Sequence, residues 1–261
     1  MTIHENIYGH AKRLNWIISN ISQSDTIVEL GCGTGYMITL PLACMGYNIH
    51  GVDLDKDSIS LGQSICRRKG LNPAMLQTVD ISNLHLAPDV VIAAEVLEHV
   101  RNEELGSILK AIRSKLEPGG RLLVTVPNGY GWFEIENFMW NKMRIGNILR
   151  WIGIVKIIKI IKQIFFGLDR NIPYYMQPST LSSSPHLQCF TYGSIRRLLK
   201  GHGFEVLNIA GSVLIAGEIS DLLFTGIKPI MRLNSGLGNL FPRFAAGFYI
   251  ACKIIPQQYQ A

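Results

Sequence analysis

The chain has no cysteine pairing rhythm. Cys32, Cys44, Cys66, Cys189 and Cys252 are scattered, without a C-x-x-C spacing. That argues against a disulfide framework or a thiolate zinc site and for a reducing compartment, the cytoplasm. Met1-Thr2-Ile3-His4-Glu5-Asn6 lacks the basic and apolar regions of a secretory leader. No internal repeat is visible, which sets aside solenoids and propellers. The longest isoleucine-rich stretch is interrupted by lysines well short of the ~20 apolar residues that a membrane span needs. Acidic residues are nearly missing from one segment: Lys142 to Arg170 carries Lys142, Arg144, Arg150, Lys156, Lys159, Lys162 and Arg170 against Asp169 alone. Seven minus one is +6, the formal charge of the whole 261-residue chain.

What is present is organised around Thr26-Ile27-Val28-Glu29-Leu30-Gly31-Cys32-Gly33-Thr34-Gly35-Tyr36. A short apolar run reads as a buried strand, alternate glycines break it, and a helix begins near Tyr36 and runs to about Met45. A strand, a glycine turn and a helix N-terminus make a cradle for an adenosine-bearing ligand. The pattern is G-x-G-x-G, so the third glycine of the dinucleotide fingerprint is missing. Glu29 at the strand end repels a pyrophosphate and suits an ammonium or sulfonium, which favours S-adenosyl-L-methionine over a nicotinamide cofactor. An ordinary tight turn is the alternative for the loop taken alone.

The periodicity continues. Ile7 to Ile21 predicts a helix with Lys12 and Arg13 on a solvated flank, within reach of a cofactor carboxylate as the second reading. Asn48 to Asp53 predicts a second strand, its terminal Asp53 placed for ribose hydroxyls. Asp55 and Asp57 suit the start of the next helix. Ala74 to Ile81 reads as a third strand, with Asp80 either facing an adenine amino group or capping a turn. Asp89 to Ala94 is a fourth strand leading into Glu95-Val96-Leu97-Glu98-His99-Val100, and Arg121 to Val126 is a fifth. Phe204 to Ile209 is a sixth, and Phe244 to Ile255 reads as the last. This alternation implies an α/β fold, a doubly wound, mostly parallel sheet covered on both faces. Glycines 31–35, Asp53, Asp80, Glu95 and Asn128 all fall at strand carboxyl ends, where such sheets bind ligands.

Val28-Glu29-Leu30-Gly31-Cys32-Gly33-Thr34-Gly35, Gly51-Val52-Asp53, Val79-Asp80-Ile81, Val96-Leu97-Glu98-His99-Val100 and Leu116-Glu117-Pro118-Gly119-Gly120 resemble the successive motifs of class I S-adenosylmethionine-dependent methyltransferases. The likeness runs over residues 25–128 and resumes at His186-Leu187-Gln188-Cys189-Phe190-Thr191. Within the superfamily it resembles the branch containing ubiquinone-biosynthesis O-methyltransferases. The resemblance implies a Rossmann-like seven-stranded sheet whose last strand lies antiparallel at the edge, and S-adenosyl-L-methionine as cofactor. It implies that Glu29, Gly31, Cys32, Gly33 and Gly35 hold the methionine end and that Asp53 binds the ribose. Leu54, Asp80 and Ile81 would surround the adenine, and Glu95 completes the cofactor set.

Residues 129–190 form a long insertion after the fifth strand within a single domain spanning 1–261, an expected substrate-side element. Over 142–170, lysines at 156, 159 and 162 predict a basic stripe beside a wide apolar helix face, suited to peripheral contact with the inner face of a membrane. A lid helix with its apolar face on the core is the alternative. Nucleic acid is disfavoured, because the stretch is isoleucine-rich rather than built from stacking aromatics. Pro173 to Pro185 reads as an aromatic-bearing loop, and Leu214 to Ile230 as a second apolar segment.

His99 and His186 are the candidate general bases, having near-neutral reference pKa values. Glu95, Glu98 and His99 sit closely enough to suggest a divalent metal, although Glu98 and His99 equally suit a helix start, and no metal is assigned. The expected reaction is methylation of a hydroxyl on an apolar or lipid-linked small molecule. A sugar of a cell-surface glycan pathway, or a non-catalytic membrane-associated partner of the same fold, are the alternatives.

Overall fold

The computed structural model describes residues 5–166 and 186–255. The Pro173–Pro185 loop and the Asp169–Arg170 end of the basic segment lie outside the described residues.

In chain order the elements are α1 (His10–Ile18), β1 (Thr26–Leu30), α2 (Thr39–Cys44), β2 (Asn48–Asp53), α3 (Lys56–Arg68), β3 (Leu76–Thr78), β4 (Val90–Ala94), α4 (Asn102–Lys115) and β5 (Arg121–Pro127). The insertion follows as α5 (Trp132–Asn137), one π turn, α6 (Ile145–Trp151) and α7 (Ile154–Phe166). The chain closes with α8 (Tyr192–Gly201), β6 (Phe204–Gly211), α9 (Glu218–Phe224), α10 (Lys228–Leu240) and β7 (Gly247–Ile254).

The seven strands run in the order β3-β2-β1-β4-β5-β7-β6. Pairing is parallel from β3 to β5, and β7 is antiparallel to both neighbours. β7 therefore lies inside the sheet, between β5 and β6, and β6 takes the edge that the sequence reading had assigned to the last strand. Pairing register explains this. Arg121 to Pro127 meets Lys253 to Gly247 along one side of β7, while Phe204 to Gly211 meets Ile254 to Phe248 along the other. β7 is buried over six consecutive residues, whereas β6 is buried only at its two ends and carries a bulge between Val206 and Asn208, as an edge strand does.

Two apolar layers cover the sheet. Leu14, Ile17, Leu40, Ile59 and Ile65 from α1 to α3 pack one face, and Leu105, Leu109, Ile112, Ile195 and Leu199 from α4 and α8 pack the other. With both faces covered, β4 is apolar throughout and β5 is buried from Leu122 to Pro127, Thr125 included. Local signals set most boundaries. Asp55 accepts from the amides of Asp57 and Ser58 to start α3, and Thr191 with Ser194 forms a capping box on α8. β3 is shorter than the sequence suggests, because Pro73–Met75 and Ile81–Asn83 each form a 3-10 turn capped by Asn72 and Asp80. Lys12 is not on a solvated flank: its Nζ donates to the carbonyls of Gly211, Ser212 and Ser235, tying α1 to the end of β6 and to α10.

The insertion departs from a single basic stripe in two ways. Gly153, at φ 78°, breaks the segment into α6 and α7. Lys162 is buried, and its Nζ donates to the Asp221 and Leu222 carbonyls of α9 at 3.4 and 3.0 Å. At the other end of α9 the buried Glu136 of α5 accepts from the Ser220 amide at 2.8 Å and from the Ser220 hydroxyl. α9 is thus held with an acid at its N-terminal amides and an ammonium at its carbonyls, the sense the helix dipole favours. Replacing Lys162 by Ala should lower stability by about 1.5–3 kcal/mol, the range for a charge-assisted bond. In urea denaturation, exposed Lys159→Ala serves as the control and should stay within about 0.5 kcal/mol of wild type.

Candidate active site

β1 ends in Gly31, Gly33 and Gly35, with φ of 66°, 54° and 70°. A Cβ on Gly31 would stand 2.5 Å from Val96, so the turn requires glycine there for space as well as for backbone angle. Nothing lies within 4 Å of a Cβ built on Gly33, which leaves that backbone open to a ligand. The Gly33 amide donates to Asp53 Oδ2 at 2.7 Å, and the Asp55 amide to Asp53 Oδ1 at 2.9 Å. Each carboxylate oxygen accepts one backbone bond and retains a second lone pair. Cys32 is buried, its thiol pushed up by burial and by Glu29. It is held inside the turn rather than offered as a nucleophile.

Glu29 is buried, and its Oε2 accepts from the Thr39 amide at 2.9 Å and from the Thr39 hydroxyl. Burial raises its pKa to about 7, against the lowering effect of those bonds and of Arg13. At the neighbouring strand ends, Leu54 is 68% exposed beside Asp53, whereas Ile81 is 2% exposed. The Ile81 side chain belongs to the core layer with Leu105 and Leu109, so of the two only Leu54 presents an exposed apolar face. Asp80 Oδ1 accepts from the amide and hydroxyl of Ser82, the turn-capping role.

Glu95 ends β4, where the strand order reverses between β1 and β4, the crevice in which open α/β sheets bind ligands. It is one of two non-glycine residues with positive φ among the described residues (55°). The Thr125 hydroxyl donates to its Oε1 at 2.9 Å, and Arg13 Nη1 stands 3.5 Å from the same oxygen. Arg13 is 14% exposed, so it too leaves the solvated flank expected for it.

Beyond Glu95 a cavity of about 220 Å³ is lined by Arg13, Glu95, Phe133 and His186, and also by Tyr8, His10 and Tyr249. The last three carry no local motif and were invisible in the sequence. Asn6 offers its amide nitrogen to His10 Nδ1 at 3.0 Å and its oxygen to the Tyr8 amide at 3.1 Å, and burial lowers the His10 pKa to about 3. The two candidate bases, 87 residues apart (186 − 99), meet here: the His99 and His186 rings are 5.2 Å apart between centroids. His186 Nδ1 lies 3.5 Å from Glu134 Oε1, and His99 Nε2 lies 3.9 Å from Glu98 Oε1. Glu98, His99 and His186 each bring one ligand atom within 4.8 Å of the others. Glu98 is 1% exposed, its Oε2 has no hydrogen-bond partner among the described residues, and burial with the nearby Glu95 raises its pKa. The third member of the suggested metal cluster is therefore His186, because Glu95 is turned to Arg13 and Thr125.

Comparison with known proteins identifies the family. A family model described as a methyltransferase domain matches residues 8–209, well over half of the chain.

The chain belongs to the methyltransferase domain family.

Its fold is that of class I S-adenosylmethionine-dependent methyltransferases. A methyltransferase from Methanosarcina mazei superposes with a TM-score of 0.54 at 20% identity, covering 92% of this chain and 98% of that one. Magnesium protoporphyrin IX methyltransferase from Synechocystis PCC 6803, with S-adenosylhomocysteine bound, gives 0.53 at 15% identity over 94% and 81%. Among curated relatives, a probable cobalt-precorrin-6B C(15)-methyltransferase of Methanothermobacter thermautotrophicus is 34% identical over 105 residues, 40% of this chain and 53% of the relative. The ubiquinone biosynthesis O-methyltransferase of Rickettsia felis is 28% identical over 123 residues, 44% and 49%. The chain thus spans about half the length of these curated relatives. The site fits the family's cofactor, S-adenosyl-L-methionine, on its own geometry: an open glycine backbone, a carboxylate at β2 with an exposed leucine beside it, and an excess of acids suited to a sulfonium.

The buried Glu29 has a consequence for stability. Its carboxyl is held above the usual value, so the folded state is favoured while the group is protonated. That advantage is lost as pH rises from about 4.5, the unfolded value, through about 7. At 1.36 kcal/mol per unit, Glu29→Gln should gain up to about 3 kcal/mol on the wild type between pH 4.5 and 8 in ligand-free denaturation. A pH-independent difference between the two proteins would contradict this.

Proposed function

We propose that this methyltransferase-fold chain transfers a methyl group from S-adenosyl-L-methionine to a hydroxyl of an apolar or lipid-linked small molecule, working against the inner face of a membrane. The observation that carries the reading is the outward face of the insertion. With Lys162 turned in to α9, Ile157, Ile161, Ile164 and Phe165 of α7 are exposed, as are Phe138, Met143 and Trp151 before it. Lys156 and Lys159 flank that face in solvent. An apolar helix face with cationic neighbours suits the headgroup boundary of an anionic bilayer, and no helix among the described residues is long and apolar enough to cross one. Residues 129–190 are then the substrate-side element of a single domain.

When bound, S-adenosylmethionine supplies an electrophilic methyl carbon on a sulfonium. The chain supplies position and proton transfer. Gly31, Cys32, Gly33 and Gly35 give backbone to the methionine end, Glu29 and Glu95 face its positive charge, and Asp53, Leu54 and Asp80 border the nucleoside, with Ile81 packed in the core behind Asp80. His186, with Nδ1 towards Glu134, keeps Nε2 for the acceptor's hydroxyl proton, and His99 stands beside it. The cluster of Glu98, His99 and His186 favours a second reading, in which these three side chains would hold a divalent cation, whose charge would lower the pKa of the acceptor hydroxyl. A sugar acceptor, or a partner role without catalysis, competes with the lipid reading as a whole.

The test is transfer of labelled methyl into a host-cell extract split into lipid and aqueous fractions, with Asp53→Ala as control. Label is expected in the lipid fraction and should fall by at least tenfold in the variant. Label confined to the aqueous fraction would sink the lipid acceptor, and none at all alongside measurable cofactor binding would favour the partner role. In the same assay chelation separates the two readings of the histidines. Loss of transfer restored by Mg²⁺ or Mn²⁺ supports the cation, whereas unchanged transfer with a bell-shaped pH profile supports His186 as base.

A further inference from the structure

We infer that the protein has a second binding site, built to take a single lipid chain ending in a phosphate. This rests on the acceptor reading above and names its class: a hydroxyl-bearing group carried on a lipid phosphate. The loop after β5, the segment after β6 and the segment before β7 each present residues to two sides. Phe133, Ser212 and Ala246 face the cavity beside Glu95 and His186. Their neighbours Trp132, Leu214 and Arg243 face another, of about 790 Å³, on the side of α8. That volume lies in the range of small-molecule sites, ~300–1,000 Å³, and exceeds what the reaction cavity holds.

Its chemistry is uneven. The walls are mostly aromatic and aliphatic, Trp132, Ile135, Leu214 and Ile215 among them, and one full charge lines it, that of Arg243. The Arg243 guanidinium stacks 5.4 Å from the Tyr192 ring centre, and its backbone carbonyl accepts from Asn128 Nδ2 at 3.2 Å. No carboxylate among the described residues lies within ion-pair distance of it, in contrast to Arg13 and Arg121, which are paired to Glu95 and Asp25. Of the uncharged polar residues in the lining, Asn128 already gives its amide protons to the carbonyls of Arg243 and Ala245, and the Thr191 hydroxyl accepts from the Ser194 amide, which leaves the hydroxyls of Tyr130 and Tyr192. An apolar cavity with one oriented, unpaired guanidinium fork is complementary to an apolar chain with an anionic end, and phosphate matches that fork bidentately. The two cavities lie on either side of three shared wall segments, so a molecule held in the second is seated next to the reaction cavity.

Calorimetric titration of the full chain with farnesyl phosphate, farnesol and inorganic phosphate tests this without any transfer assay. Farnesyl phosphate should bind at least tenfold more tightly than farnesol, and inorganic phosphate should not bind measurably. Arg243→Gln should bring farnesyl phosphate down to the affinity of farnesol, while Leu214→Trp, which fills the cavity, should weaken both lipids at least tenfold. S-adenosylhomocysteine affinity should stay within twofold in both variants, reporting an intact fold and an intact cofactor site. Equal binding of farnesyl phosphate and farnesol, or an Arg243→Gln protein that binds like wild type, overturns the site. So does inorganic phosphate binding as tightly as the lipid. Loss of the lipid site with S-adenosylhomocysteine still bound would leave the methyltransferase reading standing, and the reverse would remove that reading alone.

Discussion

The hydrogen bond from the Gly33 amide to the Asp53 carboxylate ties the ends of β1 and β2 together at the point where the sheet must meet its ligand. Asp53 reaches the amide because the two strands are parallel and in register, Leu30 opposite Val52. Gly33 can present it because its backbone sits at φ 54° with empty space where a side chain would be. One residue earlier, the Cys32 amide donates to the Val52 carbonyl, so the turn hangs from β2 at two points. The glycine turn is therefore not a flexible loop waiting for a cofactor. It is a piece of backbone held open by its neighbour strand.

Behind that turn the protein buries charge, and it does so unevenly. Glu29 is enclosed with two donors from Thr39 and titrates near neutrality. Glu98 is enclosed with one oxygen unsatisfied among the described residues. Among the described residues Arg13 reaches only Glu95 within ion-pair distance, and that contact is long. Unsatisfied and shifted groups of this kind are costly in a folded core, and they gather at the strand ends rather than along the sheet. A site that is incomplete in electrostatic terms is one prepared for a charged ligand.

The insertion shows the opposite arrangement to an ordinary surface helix. α7 turns a lysine inward and leaves isoleucine and phenylalanine outside. Its partner is α9, whose last-turn carbonyls at Asp221 and Leu222 accept from the Lys162 ammonium, the former alongside the Thr225 amide. That single contact decides which face of α7 looks outward, and it changes a basic stripe into an apolar surface with two lysines at its margin. Glu136 anchors the other end of the same short helix, so α5, α7 and α9 are held as one group.

Much of the site was legible because its signals are local. Glycines at alternate positions, acids at strand ends and apolar runs covered on both faces mark β1, β2, β4 and β5 in the amino-acid order itself, and with them the class of fold. The adenine side was less so: Ile81 follows Asp80 in sequence, but a 3-10 turn sends its side chain into the core and leaves Leu54 outside. Tyr8, His10 and Tyr249 had no pattern to announce them, since what brings them together is the packing of α1 across β7. The sequence alone determined the alternation of strands and helices and the turn at Gly31 to Gly35, because backbone angles and side-chain periodicity act over a few residues. Only the tertiary structure decided that β7 enters the sheet between β5 and β6, that His99 meets His186, and that Lys162 points inward. Those outcomes depend on hydrogen-bond partners and buried volume supplied by residues far along the chain, which no local pattern encodes.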